Sequence, residues 1–196
     1  MPRCPRCALP GHADLPCGAC QRETPEFDGA RAVADYEFPW DGLITRFKFR
    51  QQPELALALS RRMAAALAQA PKAPTTLLVP MPLSVARLRE RGYNQAWELA
   101  RHLGECLHIE ARPDLLQRWR DTPHQVGLTR QQRETNLRDA LWVDPAHVAH
   151  VHGRHVALID DVMTTGASAN AAAHALKLAG AAGVQVWVLA RTPRTD

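Results

Sequence analysis

A chain of 196 residues with 46% hydrophobic content can bury one medium-sized core, with room for a small appendage. No apolar run approaches the roughly 18 to 20 residues that a membrane span needs, and the opening Met1-Pro2-Arg3-Cys4 has none of the apolar stretch of a secretory signal, so a cytoplasmic protein without a membrane span is expected. The net charge of +4 suits phosphorylated ligands or nucleic acid without demanding either; of 24 basic residues only three are lysine, a bias that suits bidentate phosphate contacts and that a GC-rich genome would also produce.

The chain begins with Cys4-Pro5-Arg6-Cys7 and Cys17-Gly18-Ala19-Cys20, two CxxC pairs separated by nine residues. Four thiolates at this spacing can complete a tetrahedral structural zinc site in a segment too short to fold alone. Cys4, Cys7, Cys17 and Cys20 are therefore the expected zinc ligands of a ribbon over residues 1–24. A redox thiol pair is the competing reading, although no βαβ pattern surrounds either CxxC. A closed four-cysteine site has no open coordination position, which makes the metal structural rather than catalytic.

Residues 25–52 read as a linker or hood-like segment. Residues 31–38 alternate partly as a strand, and residues 40–50 interleave Leu43, Ile44, Phe47 and Phe49 with Arg46, Lys48 and Arg50. The main domain, 53–196, starts with a helix over about 53–70 whose apolar stripe is Leu55, Leu59, Met63 and Leu67. A buried strand over 77–80 ends in Met81-Pro82-Leu83, and an amphipathic helix over 94–106 carries Leu99, Leu103 and Leu107 on one side, with Cys106 as a small core residue.

Between this strand and helix, a stiff Pro-x-Pro loop and then Arg87, Arg89 and Arg91 form a candidate anion site. Arg87 and Arg91 are four apart, on one face if the segment is helical, and could grip a pyrophosphate from one side. A solvated helix face beside Glu90 is the alternative. Pro82, Asn94 and Gln95 complete the candidate pyrophosphate contacts. Residues 118–138 have few apolar anchors and read as a mobile lid, with Arg130, Arg133 and Asn136 as its candidate site residues. His147, His150, His152 and His155 have no carboxylate companion and read as solvated histidines rather than a second metal site.

The densest signal lies over residues 155–168. The apolar run Val156-Ala157-Leu158-Ile159 is what a parallel strand covered on both faces looks like, and Ala-rich residues 167–179 read as its crossover helix. In open α/β sheets the ligand crevice lies outside the carboxyl ends of the strands, where Asp160, Asp161 and Thr164-Thr165-Gly166 would sit. Free N–H groups at a helix start attract an anion, helped by the helix dipole. Thr164, Thr165 and Ser168 add hydroxyl donors, and Gly166 lets the backbone approach the anion closely. Carboxylates beside such an anion suit ribose hydroxyls or a hydrated magnesium ion. An N-capped helix next to two solvent-facing aspartates, with no ligand, is the structural alternative. A last strand over 184–190 closes what the strand and helix alternation predicts to be an α/β fold, a mostly parallel sheet flanked by helices.

Residues 156–168 resemble the phosphoribosyl pyrophosphate (PRPP) signature of type I phosphoribosyltransferases, in which hydrophobic residues precede two acids and a Thr-Thr-Gly-Ala-Ser loop. The two CxxC pairs, the Pro-x-Pro…Arg-Gly-Tyr-Asn-Gln segment and Thr129-Arg130-Gln131-Gln132-Arg133-Glu134-Thr135-Asn136 precede that signature in an order that resembles the ComF family over nearly the whole chain. ComF proteins are a phosphoribosyltransferase-like group named for DNA uptake during bacterial competence. The resemblance implies a type I phosphoribosyltransferase-like fold with an N-terminal zinc ribbon. It further implies Asp160 and Asp161 on the ribose 2′ and 3′ hydroxyls, Thr164, Thr165, Gly166, Ala167 and Ser168 on the 5′-phosphate, magnesium bound with PRPP, and competence-machinery proteins as partners.

The expected reaction is displacement of pyrophosphate from ribose C1 by an acceptor that no residue identifies. The alternative is a non-catalytic module that keeps the fold and handles single-stranded DNA through Arg46-Phe47-Lys48-Phe49-Arg50 and through Trp119 between Arg118 and Arg120. Phe47 and Phe49 also fit as core residues of a strand. A PRPP-responsive transcriptional regulator ranks last, since no helix-turn-helix pattern is present.

Overall fold

Short aliphatic runs set the framework of this computed structural model, which describes residues 2–11, 13–49, 52–68, 74–118 and 140–193. The chain forms α1 (Gly18–Arg22), β1 (Gly29–Asp35), α2 (Trp40–Phe49), α3 (Leu55–Ala68), β2 (Leu77–Pro80), α4 (Val85–Arg91), α5 (Gln95–Leu107) and β3 (Glu110–Ala111). It continues through β4 (Leu116–Arg118), β5 (Leu141–Val143), a 3-10 turn (Pro145–His147), α6 (Val148–Val151), β6 (His155–Met163), α7 (Ala167–Leu178) and β7 (Gly183–Arg191).

Five strands lie in the order β1-β7-β6-β2-β3, every pairing parallel, so β6 occupies the centre of the sheet. A separate antiparallel ribbon joins β4 and β5. The expected α/β architecture holds; β3 and the β4–β5 ribbon were not legible, because strands this short carry too few residues for a period-2 pattern.

Alternation along the central strands divides the core between two faces. Leu77, Val79, Val156, Leu158, Val184 and Val186 meet the alanines of α7 and the apolar side chains of the β4–β5 ribbon. Leu78, Ala157, Ile159, Trp187 and Leu189 meet α2, α3 and α5. The small side chains of α7 let it lie close on the sheet, with Ala169, Ala171, Ala172, Ala173 and Ala175 all buried. Gly104 serves the same end on the opposite layer, since a Cβ there would lie 2.7 Å from the Ile109 carbonyl oxygen where the chain returns into β3.

Two expectations need correcting. The 40–50 segment is the helix α2, not a strand: Ile44 and Phe47, three residues apart, are both 0% exposed in the second core, whereas Phe49 is 68% exposed. Cys106 is exposed, because the buried stripe of α5 ends at Gly104 and Cys106 falls in the following turn. Among the described residues no helix is long and apolar enough to cross a membrane.

Candidate ligand site at the rim of the sheet

The carboxyl end of β6 runs directly into the turn that starts α7. Gly166 occupies the N-cap position with φ 87, a left-handed conformation open to glycine, and the Thr165 hydroxyl accepts from the Ala167 N–H at 3.3 Å. The remaining N–H groups of the first turn lack intrahelical acceptors, as in any helix. Met81, Asp160, Met163, Val188 and residues 164–168 line one recess, which encloses about 70 Å³.

The two aspartates lie in different surroundings. Asp160 faces the recess. Asp161 faces the other layer, is 2% exposed, and its Oδ2 lies 2.9 Å from Nζ of Lys48 on α2. Burial pushes the Asp160 carboxyl well above the ordinary carboxylate range, and the charge of Asp161 adds to the push against the opposing effect of Lys48. With Asp161 paired to Lys48, the rim is less negative than two unpaired adjacent acids would make it.

The Pro-x-Pro loop reaches the same recess. Met81 donates its N–H to the Ile159 carbonyl at 2.8 Å, tying the end of β2 to β6 just before the acids. Asn94 fixes this loop from behind: its Nδ2 donates to the Met81 carbonyl at 3.1 Å, while its Oδ1 accepts from the N–H groups of Ala96 and Trp97 as the N-cap of α5. Pro82 is half-buried and Arg87 exposed. Arg91 donates to the Gln95 side chain and stacks 5.2 Å above the Phe49 ring. Since Lys48 is the residue before Phe49, two consecutive side chains of α2 connect Arg91 with Asp161. The Tyr93 hydroxyl donates to the Phe47 carbonyl and holds the end of α2 in place. Arg130, Arg133 and Asn136 lie outside the described residues.

Sequence reasoning placed Lys48 in a basic-aromatic run suited to single-stranded DNA rather than beside Asp161, and it missed Arg191. Lys48 is one of only three lysines in an arginine-rich chain, which was a usable signal. The alternation over 156–159 also implied that consecutive acids point to opposite layers. Arg191 is 4% exposed at the end of β7, and its Nε donates to the Cys7 carbonyl at 2.9 Å while its Nη1 donates to the carbonyls of Met163, at 2.9 Å, and Thr164. Nothing in an apolar strand that ends in arginine announces such partners.

Sγ of Cys4, Cys7, Cys17 and Cys20 lie within 4.8 Å of one another, with no disulfide among them. A zinc ion with Zn–S distances of about 2.3 Å requires sulfur separations of about 3.8 Å, and Cys7 and Cys17 are already at 3.6 Å. The donor set fits zinc, and the four cysteines could hold it. Burial pushes the Cys7 thiol up to about 11, whereas at Cys17 hydrogen bonds from the Cys20 backbone and the neighbouring thiols outweigh burial and bring the value down to about 7. Among the described residues no other group of three or more histidines, cysteines or acids converges, the four histidines of the 147–155 region included.

A central parallel strand that ends in two acids, a hydroxyl-rich turn into a helix and a second loop from the adjacent strand define the type I phosphoribosyltransferase-like fold. The solved structure of glutamine PRPP amidotransferase from B. subtilis, complexed with ADP and GMP, matches with a TM-score of 0.50 at 18% identity, over 74% of this chain and 30% of that one. No family profile matches the sequence. The DNA utilization protein YhgH of Escherichia coli K12 is 37% identical over 195 residues, 96% of this chain and 84% of the relative. Competence protein F of Haemophilus influenzae is 34% identical over 179 residues, 89% of this chain and 78% of the relative. On these relationships the chain belongs to the ComF family.

Proposed function

We propose that this protein binds PRPP across the rim of its sheet and transfers the phosphoribosyl group to an acceptor in the course of DNA uptake or use. One observation carries the reading: Met81 at the head of the Pro-x-Pro loop, Asp160 and residues 164–168 line a single recess. The 5′-phosphate sits on the Thr164-Thr165-Gly166-Ala167-Ser168 turn, and Asp160 binds the ribose hydroxyls, with Asp161 behind it. The pyrophosphate lies towards Pro82, Arg87 and Arg91, with Asn94 and Gln95 supporting that side. The DNA-related names of the relatives favour the biological setting.

In such a transfer the acceptor forms a bond to ribose C1 as the bond from C1 to the pyrophosphate oxygen breaks, and pyrophosphate leaves with the electron pair. The residues contribute binding, orientation and charge neutralisation rather than covalent chemistry. Asp161 is paired with Lys48, so among the described residues of the rim Asp160 is the carboxylate that would face a magnesium ion. That fits an ion carried largely by the phosphate oxygens of its ligand and by water.

Calorimetric titration of the full chain with PRPP and magnesium tests the reading. Binding is expected in the wild type, weakened about tenfold or more by Asp160→Ala or by Thr165→Ala with Ser168→Ala, a loss of about 1.4 kcal/mol per decade. An inert wild type rejects it. Pyrophosphate release across a panel of nucleobases and amines then separates transfer from binding alone.

A second reading, a non-catalytic module for single-stranded DNA, is favoured by the exposed Phe49 ring with Arg91 stacked on it and Arg46 exposed nearby. Against it, Phe47 and Lys48 of the same run are turned into the core and the Asp161 ion pair. Salt-dependent retardation of single strands that is lost in Phe49→Ala would support this reading.

A further inference from the structure

We propose that Arg191 is a positioning residue through which the four-cysteine cluster sets the conformation of the phosphate turn, so that metal in the cluster and ligand at the sheet rim are coupled. The functional weight of this inference rests on residues 164–168 being the phosphate site, as proposed above. The mechanical link does not depend on that assignment.

The guanidinium of Arg191 sits between two main-chain segments that have no sequence proximity. On one side its Nε donates to the carbonyl of Cys7, a residue whose thiol belongs to the candidate zinc set. On the other, Nη1 donates to the carbonyls of Met163 and Thr164, the last residue of β6 and the first of the phosphate turn, and to that of Thr192 at 2.9 Å. The Met163 carbonyl also accepts from the Thr192 N–H at 3.1 Å, so the residue that follows β7 holds the same carbonyl. One planar group thus joins the cysteine knuckle to the turn, and its fork holds several donors in one plane, which fixes orientation as well as distance.

The knuckle that holds Cys7 is itself short, and its four thiols are the donor set that a metal would draw together. Its turn is closed by Ala8 N–H to the Cys4 carbonyl at 2.9 Å and by Cys4 N–H to the Leu9 carbonyl at 2.8 Å. A segment of this size has too small a core to hold its conformation without a bound metal. When the metal leaves, the Cys7 carbonyl loses its fixed place, Arg191 loses one of its anchors, and the Met163 and Thr164 carbonyls lose a buried donor held in register. The turn then samples conformations other than the one in which residues 164–168 line the recess. By linkage, a ligand that orders the turn tightens the hold on the metal by the same factor.

Amide hydrogen exchange by mass spectrometry on the full chain tests this without relying on activity. Removal of zinc from the wild type by a chelator is expected to speed exchange at residues 164–168 by about tenfold more than at residues 95–107 on the opposite layer, which report the stability lost by the fold as a whole. Arg191→Gln loaded with zinc is expected to reproduce the faster exchange, chelation of that variant to add nothing, and Arg191→Lys to restore part of the protection. Unchanged exchange at 164–168 after chelation of the wild type overturns the proposal, and so does a chelation effect retained in full by Arg191→Gln. Equal loss of protection at 95–107 also overturns it, since the metal would then act on the entire fold. Should Arg191→Gln fail to fold, the wild-type arm alone decides. If the coupling is observed but calorimetry finds no PRPP binding, the functional reading fails and the strut remains.

Discussion

Removing the amine of Lys48 would leave Asp161, 2% exposed, as a buried carboxylate beside a second acid. Breaking a buried pair from one side typically costs about 3–5 kcal/mol, because the surviving charge keeps its desolvation penalty. Lys48→Met is therefore expected to lower unfolding free energy by about 3 kcal/mol in urea titrations, and the double variant Lys48→Met with Asp161→Asn to recover most of the loss. A single variant within about 0.5 kcal/mol of wild type, the range of ordinary surface substitutions, would mean that water already solvates the pair. Asp160 acts in the opposite sense. Its folded value is raised above the ordinary 3.8, chiefly by burial, so the folded chain retains this proton to higher pH than the unfolded chain does. The stability it contributes is complete below about pH 3.8 and is lost as pH rises through the folded value. Asp160→Asn should flatten that decline in denaturation curves recorded from acid to neutral pH; an unchanged profile would show that the group titrates normally.

At the level of elements, patterning reached as far as the patterns were long. The 77–80 strand, the central strand with its acids and the helices after 53, 94 and 167 each present several turns or a continuous apolar run, and each lies within a few residues of its expected place. α2 was obscured because four aromatic or aliphatic residues alternate with basic ones over 43–50, a pattern that fits a strand until tertiary packing selects the Ile44 and Phe47 spacing. The chemistry of the rim was legible from residue types alone, whereas the assignment of Asp161 to Lys48 depends on a helix that arrives from 113 positions earlier in the chain. Asn94 illustrates how one side chain serves both element and site. It caps α5 through Oδ1 and holds the Met81 carbonyl through Nδ2. Asn94→Ala should cost about 1–2 kcal/mol in thermal melts from the lost cap. Asn94→Asp keeps the acceptor and removes the donor, so it should retain most of the stability while weakening pyrophosphate-side binding; equal melting of both variants would remove the cap from the account.

For the molecule as a whole, the question is whether the cysteine-rich start is an independent bead or part of the same cooperative unit. Its contacts favour the second. Arg3 pairs with Asp35 at 2.7 Å, the Pro5 carbonyl accepts from the Ala30 N–H at 3.1 Å, Arg6 donates to the Asp28 carbonyl at 2.9 Å, and Ala8 is fully buried in the main core. Asp28 in turn accepts from Lys177 and from the Val184 N–H, each at 2.7 Å, which ties the linker to α7 and β7. Metal affinity in a knuckle that cannot fold alone becomes folding free energy, and here these contacts pass part of it to the sheet. Each kcal/mol corresponds to about 2–4 °C in a domain of 150–250 residues, so losing a docking contribution of about 3 kcal/mol should lower the midpoint by roughly 10 °C. Calorimetric scans with and without chelator are expected to show one transition that moves as a unit. Two separate transitions, or a midpoint indifferent to the chelator, would mean that the cysteine segment rides on the domain without stabilising it, and the strut at Arg191 would then have no metal-dependent force to transmit.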